Sequence, residues 1–184
     1  RVAIIDRKTT IGIPVRCGQA TGNRMELSRF VPVEQRWIAA DIEGISIHID
    51  DSNVLTRPLP ELGVILRRDI FEQSLASRAE SLGAHLLLHT RVAGITRRGN
   101  RCHEVVLDSG ERIHASMFVG ADGCESSLGR WMGMVDHLPL HDSFPSVQYT
   151  MHTGYHTGNY LCFYIGTETI PHGYIWIFPR DTGT

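Results

Sequence analysis

Apolar and polar positions change their period several times along the chain, and each period predicts a different element. The unbroken apolar run Val2–Ile5, closed by Asp6, predicts a strand buried on both faces of a parallel sheet. Ile45, Ile47 and Ile49 alternate with polar residues, which predicts a half-buried strand that is followed by a turn. Residues 38–59 as a whole are expected to form strands.

One helix is predicted over residues 69–82, because apolar residues there recur at intervals of three and four and Gly83 follows as a C-terminal cap. Residues 84–88 come directly after it and have the composition of a strand. A strand, helix and strand in succession predict a parallel pairing of residues 84–88 with a short strand at residues 64–66.

The remaining predicted elements are separated by residues that favour turns. A loop with one helical turn is expected over residues 11–36, and a short helix over residues 126–132. Strands are predicted at residues 92–95, 103–107, 112–115, 117–121, 146–151, 160–165 and 173–178. Because both ends of the chain fall within such patterns, the sequence is expected to be a fragment of a longer protein.

Composition excludes several classes of protein. The chain has 184 residues, 42% of them hydrophobic and 21% charged, with a net charge of −2, which does not fit collagen-like, coiled-coil or disordered proteins. No block of basic residues offers the surface that nucleic acid requires. No apolar run approaches the roughly 18 to 20 residues of a transmembrane helix, and the first residues do not have the pattern of a signal peptide.

The cysteines and histidines predict neither a disulfide framework nor a metal site. The four cysteines stand singly, which points to a reduced, cytoplasmic setting. Three pairs of histidines are spaced four residues apart, a spacing that holds zinc on a helix. On a strand the same spacing separates the residues by roughly 13 Å, so no metal site is expected.

A turn at residues 120–126 is the most specific local motif. Gly120, Asp122 and Gly123 follow a predicted buried strand and precede a predicted helix. In an open α/β fold this position lies at the carboxyl end of the sheet, where an Asp carboxylate can reach a sugar or a pyrophosphate-bound ligand. A plain tight turn is the alternative, since Asp-Gly is common in turns.

Two further positions share this ambiguity. Asp6 follows a predicted strand, which is the position of the acid that binds adenosine ribose in dinucleotide-binding folds. No glycine fingerprint precedes it in this sequence, so Asp6 also fits an ordinary surface acid. Arg68 stands at the predicted helix start, where it is either a phosphate ligand or a solvated residue. Phe71, three residues on, is expected in the core.

Taken in order, these motifs resemble the superfamily of flavoprotein monooxygenases and geranylgeranyl reductases. Two more segments are similar to the geranylgeranyl reductase branch: residues 11–18, with Pro14, Arg16 and Cys17, and residues 171–179, which match a Tyr-x-Trp-x-Phe-Pro motif. The resemblance implies a mixed α/β (α+β) fold, incomplete at both ends, in which a Rossmann-like FAD-binding domain is interleaved with an antiparallel substrate sheet. It assigns residues 1–36 and 63–135 to the partial FAD domain and residues 37–62 and 136–184 to the partial substrate domain.

The resemblance also implies roles for single residues. Asp6 would bind the adenosine ribose, Arg16 and Arg68 would face the phosphates or the flavin edge, and Cys17 would lie near the flavin ring, with a catalytic role or as a small buried apolar residue. The other implied FAD contacts are Gly18, Val92, Gly120, Asp122 and Gly123. The family's glycine-rich phosphate loop and its later Gly-Asp-Ala motif lie outside residues 1–184, so only part of a flavin site is expected here.

Tyr174, Trp176 and Phe178 would share one face of a strand, because side chains alternate along it. Such a wall of rings suits a long apolar substrate, and it also suits a core. The resemblance implies that FAD and NAD(P)H, or another reductant, reduce carbon-carbon double bonds of a geranylgeranyl-type isoprenoid. An isoprenoid substrate is compatible with peripheral attachment to a membrane.

Two other functions remain open. One is an FAD-dependent monooxygenase or epoxidase that uses NAD(P)H and oxygen. The other is a non-catalytic fragment that has lost cofactor binding.

Overall fold

The computed structural model describes residues 1–50, 53–154, 157–166 and 170–180, and the chain divides into two compact units. The first unit contains residues 1–13 and 76–147, and the second contains residues 14–75 and 148–184. The bounds of these units differ from those of the predicted FAD and substrate domains, which stay a prediction. Within the described part of the chain, no helix combines the length and the apolar composition needed to cross a membrane.

The secondary structure is mixed, as the sequence predicts. In chain order the elements are β1 (Val2–Ile5), β2 (Ala20–Thr21), α1 (Arg24–Ser28), β3 (Ile38–Ile49), β4 (Asn53–Leu66), α2 (Arg68–Ser81), β5 (Ala84–Leu87), β6 (Val92–Arg98), β7 (Arg101–Leu107), β8 (Arg112–His114), α3 (Ser127–Met132), β9 (Tyr160–Ile165) and β10 (Ile175–Ile177).

Several predicted elements are confirmed. Helix α2 spans almost the predicted residues, and Gly83 follows it with φ of +91°, a left-handed conformation that suits glycine. The predicted meander is the antiparallel sheet β6-β7-β8, and α3 is the predicted short helix. Strand β9 has the predicted bounds, whereas β10 is shorter than predicted.

The predicted parallel pairing of residues 84–88 with residues 64–66 is wrong. Strand β5 pairs in parallel with β1, with Val2 opposite Ala84, whereas residues 64–66 end the antiparallel strand β4. The order strand, helix, strand indicates a crossover but does not identify the strand that accepts the returning chain. Here α2 connects strands of two different sheets.

Three predictions of strands or of their burial are also wrong. Strand β1 forms, but Val2 is 62% exposed, so it is not buried on both faces. Residues 117–121 and 146–151 form no strand, and Val119 is 82% exposed. An apolar run shows only that its own residues favour burial and an extended backbone. A strand also needs a neighbouring strand for its N–H and C=O groups, and a local pattern does not supply one.

The second unit is built on a five-stranded sheet with the order β10-β9-β3-β4-β2. Strands β3 and β9 run parallel, and the other neighbours are antiparallel. The alternation in β3 is as predicted, but the more buried side is the polar one. Ser46 is buried and its hydroxyl is hydrogen-bonded to Thr56 and His48, while Ile49 on the apolar side is exposed.

The core of this unit fixes the start of α2 against the sheet. Trp37, Ile38, Val64 and Leu66 form a buried cluster, and Phe71 packs against it, as predicted for Phe71. The Trp37 ring meets the Phe71 ring edge to face at 5.1 Å, and its Nε1 donates a hydrogen bond to Ser74 Oγ at 2.9 Å. These contacts hold the first turns of α2, including Arg68, in one position.

Candidate functional site

The loop that precedes β2 passes close to the aromatic residues around β10. A Cβ added to Gly18 would lie 2.8 Å from Phe178 Cε2 and 3.3 Å from Trp176 Nε1. Real Cβ atoms do not approach an aromatic carbon as closely as 2.8 Å, so glycine permits this contact. The peptide that carries Cys17 is thereby held beside the aromatic rings. Arg16, in the same loop, is exposed.

Cys17 lies beside the guanidinium of Arg68. Arg68 is the first residue of α2, and its Nε donates a hydrogen bond to Oε1 of Glu72, one turn along the helix, at 2.5 Å. The pKa of Arg68 is raised above its ordinary value. The Glu72 carboxylate is the main cause, and Cys17 is a smaller one. A permanent positive charge therefore stands at a half-buried thiol.

Gln19 connects these two residues. Its backbone N–H donates to Cys17 Sγ at 3.4 Å, and its side-chain Oε1 accepts the backbone N–H of Arg68 at 3.3 Å. Its carbonyl accepts the N–H of Leu66, at the end of β4, at 3.0 Å. One residue thus binds the cysteine loop, a central strand and the start of a helix.

Aromatic rings form a continuous surface along the edge of the sheet. The ring of Trp176 lies 6.0 Å from Tyr174 and 6.5 Å from Phe178, as the alternation along the strand predicts. Phe163 of β9 adds a fourth ring, 5.9 Å from Tyr174 and 5.4 Å from Phe178. Tyr174 is 55% exposed, whereas Phe178 packs on the buried cluster of Ala39, Ala40, Ile42 and Ile65. We call Phe163, Tyr174, Trp176 and Phe178 the aromatic wall.

Two other polar groups in this unit bear on its chemistry. Among the described residues, Oδ1 of Asp69 is buried without a hydrogen-bond partner, directly after Arg68. Cys162 of β9 is buried, and burial raises the pKa of its thiol above the ordinary value. Of these two cysteines, Cys17 is therefore the one with a cationic partner and access to the surface.

Asp6 and Val92 lie in the first unit. Asp6 follows β1 at the carboxyl end of the parallel pair, where its Oδ1 accepts the N–H of Lys8 at 2.9 Å and its own N–H donates to the carbonyl of Leu87. Val92 opens β6 and pairs with Leu107.

The turn at residues 120–126 is also in the first unit. Asp122 Oδ2 accepts the N–H of Leu128 at 2.8 Å, so its carboxylate caps the first turn of α3. Gly123 has φ of +84°, which favours glycine, and a Cβ on Gly120 would lie 3.0 Å from Leu128. The alternative of a structural turn therefore has direct support, and a ligand role for Asp122 stays a prediction.

The structure thus brings Cys17, Gly18, Arg68 and the aromatic wall together within one unit. The sequence did not indicate Gln19, Glu72 or Phe163 as part of the site. The i,i+4 spacing of Arg68 and Glu72 could have indicated their pairing. Nothing in the sequence reveals the backbone conformation that places Gln19 between its partners.

Comparison with known proteins confirms the resemblance to geranylgeranyl reductases. Residues 142–184 match the model of the family described as "Geranylgeranyl reductase catalytic domain". Digeranylgeranylglycerophospholipid reductase of Methanosarcina mazei is 34% identical over 191 residues, which cover 99% of this chain and 46% of that protein. The same reductase of Methanoculleus marisnigri is 33% identical over 190 residues, covering 100% of this chain and 48% of that protein.

Solved structures confirm the fold. A geranylgeranyl bacteriochlorophyll reductase-like protein of Thermoplasma acidophilum superposes with a TM-score of 0.72 at 25% identity, over 96% of this chain and 46% of that one. PqsL of P. aeruginosa, in complex with 2-aminobenzoylacetate, gives a TM-score of 0.66 at 14% identity, over 98% and 51% of the two chains. This second likeness shows the fold alone. The chain spans about half the length of the curated relatives it matches.

Proposed function

We propose that the chain forms part of an FAD-dependent reductase that saturates carbon-carbon double bonds of a geranylgeranyl-type isoprenoid. The observation that carries the proposal is the close approach of Gly18 to Phe178 and Trp176, which joins a cysteine-arginine pair to a wall of aromatic rings. The similarity to digeranylgeranylglycerophospholipid reductases supports the same substrate class.

The aromatic wall suits an isoprenoid chain. A prenyl chain has no hydrogen-bonding groups, so its binding depends on removing apolar surface from water. Partly exposed rings such as Tyr174 and Trp176 provide such surface and lose little conformational entropy when covered. The wall ends at Gly18, so a chain lying along it would bring a double bond near Cys17.

Reduction of a double bond adds one hydride and one proton to the two carbons. When bound, reduced FAD supplies the hydride. We assign the proton to Cys17 Sγ, because this thiol lies beside the Arg68 guanidinium and accepts the backbone N–H of Gln19. Solvent then returns the proton to the thiolate.

The residues present fit FAD in two places. Asp6, at the carboxyl end of a parallel strand, has the position and charge of an acid that binds ribose hydroxyls. The orphaned Asp69 Oδ1 beside Arg68 is an acceptor that a ligand N–H or hydroxyl would satisfy. Arg16, Gly18, Val92, Gly120, Asp122 and Gly123 stay as proposed contacts. Flavin released on denaturation, at one FAD per chain, would support this assignment, and a full-length protein that never binds flavin would contradict it.

The test of the reaction uses the full-length protein, chemically reduced flavin and a geranylgeranyl lipid under anaerobic conditions. The proposal expects saturated lipid, detected by mass spectrometry, and strong loss of product in Cys17→Ala and Trp176→Ala. In D₂O two deuterium atoms should enter each reduced bond, because the thiol hydrogen and the hydrogen that reduced flavin transfers both exchange with solvent. Turnover that requires oxygen would instead indicate a monooxygenase.

We also propose peripheral contact with the membrane that holds such a lipid. Ile49, Leu55 and Ile165 are 46%, 60% and 47% exposed at the outer end of the sheet. They continue the apolar surface of Phe163, since Ile47 pairs with both Leu55 and Phe163. Leu55→Asp should reduce flotation of the protein with lipid vesicles. Phe30→Asp, at an exposed position elsewhere in the unit, is the matched control.

The electron donor is proposed to be NAD(P)H or another cellular reductant of cytoplasmic origin. Bleaching of flavin absorbance after mixing with NADH or NADPH separates these cases.

A further inference from the structure

Gln19 adopts a backbone conformation that is unfavourable for its residue type. It is 5% exposed and has φ of +66°, in the left-handed region where residues with a Cβ are uncommon. Glycine would take this conformation without strain. A glutamine here therefore carries a cost that its side chain or its contacts must offset.

The contacts of Gln19 all lead to the Cys17-Arg68 pair or to the elements that hold it. Its N–H faces Cys17 Sγ, and its Oε1 accepts the N–H of Arg68. Its carbonyl accepts from Leu66, which fixes the loop to the end of β4. The backbone of Gln19 thus binds the thiol of Cys17, and its side chain binds the first residue of α2.

We propose that Gln19 is a positioning residue for Cys17. Its side-chain amide holds the first residue of α2, and its backbone holds the thiol, so that the Arg68 guanidinium stays beside Sγ. This inference rests on the proposed function, in which Cys17 Sγ gives up a proton beside the Arg68 guanidinium.

The proposal predicts how two variants change the ionisation of Cys17. Gln19→Gly relieves the backbone strain but removes the amide, and Gln19→Met keeps the length of the side chain but removes the acceptor oxygen. If the amide oxygen positions Arg68, both variants should weaken the stabilisation of the thiolate. If only the backbone matters, Gln19→Gly should behave as the wild type.

The measurement is alkylation of Cys17 by iodoacetamide in the full-length protein, followed by mass spectrometry of the Cys17 peptide. The ratio of the rate at neutral pH to the rate at strongly alkaline pH reports the fraction of thiolate, because access to the thiol cancels in the ratio. We expect this ratio to fall about fivefold in both variants, as the loss of one net hydrogen bond allows.

The matched control is Asn23→Ala, which removes a side-chain cap from α1 in the same unit, where Asn23 Oδ1 accepts the N–H of Glu26 at 3.0 Å. It should lower thermal stability but leave the Cys17 ratio unchanged. A wild-type ratio in folded Gln19→Gly or Gln19→Met would overturn the proposal, as would an equal fall in Asn23→Ala. Alkylation needs neither flavin nor lipid. Failure of lipid reduction with the expected ratios would therefore refute the proposed function and leave the positioning role standing.

Discussion

Replacing Gly18 by alanine is the most direct perturbation of the contact between the cysteine loop and the aromatic wall. The added methyl would lie 2.8 Å from Phe178 Cε2, 3.2 Å from Phe178 Cδ2 and 3.3 Å from Trp176 Nε1. The Phe178 ring cannot withdraw freely, because it packs on the buried cluster around Ile42 and Ile65 and against the Phe163 ring. Either the ring or the loop must move.

The expected cost is that of overpacking, about 1 to 3 kcal/mol of unfolding free energy. Backbone strain does not contribute, since the φ of Gly18 lies outside the left-handed region. The same displacement should move Cys17 away from the wall. We therefore expect a loss of reductase activity larger than the loss of stability alone would cause.

Urea unfolding, followed by tryptophan fluorescence and far-UV circular dichroism, measures the stability change. Near-UV circular dichroism reports the displacement of the rings. Gly94→Ala is the matched control, because a Cβ on Gly94 meets no atom within 4 Å and the substitution should be close to neutral. A Gly18→Ala variant with wild-type stability and an unchanged near-UV spectrum would refute the close approach on which the site is built.

Two further predictions concern residues outside the site. The Thr96 hydroxyl first, and then the Arg112 guanidinium, hold the pKa of Glu104 below its ordinary value. The resulting stability is present above the ordinary glutamate pKa and is lost as the pH falls through the folded-state pKa. Glu104→Gln should therefore lower the urea midpoint at neutral pH and flatten its decline towards acid, and an unaltered pH profile would contradict this. Trp37→Ala removes a ring that is 2% exposed and the hydrogen bond to Ser74, and should cost about 3 to 5 kcal/mol in urea unfolding; a cost below about 1 kcal/mol would show that the cluster is not the core.

The sequence predicted those parts of the fold that depend on local signals. Helix α2 was visible from its apolar period and from Gly83, and β9 from a run of aromatic and aliphatic residues bounded by turns. The sequence did not show that β5 pairs with β1. The two strands are far apart in the chain, and tertiary packing decides which strands pair. The buried side of β3 was inverted for a similar reason, since tertiary packing decides which face of a strand is covered, and here the side that carries Ser46 is the more buried one.

The candidate site was predicted in part, and for a comparable reason. Cys17, Arg68 and the rings of Tyr174, Trp176 and Phe178 were indicated by motif resemblance and by strand alternation. That they meet depends on the absence of a side chain at Gly18, which a sequence shows only as one glycine among eighteen. Nothing in the sequence points to Gln19, because glutamine rarely adopts the positive φ that this residue has.

The proposed reduction is tested by the mass of a geranylgeranyl lipid after anaerobic incubation with the full-length, flavin-reduced protein. We predict a gain of two hydrogen atoms for each double bond reduced, with loss of this gain in Cys17→Ala. An unchanged lipid in the presence of a bound, reduced flavin would contradict it.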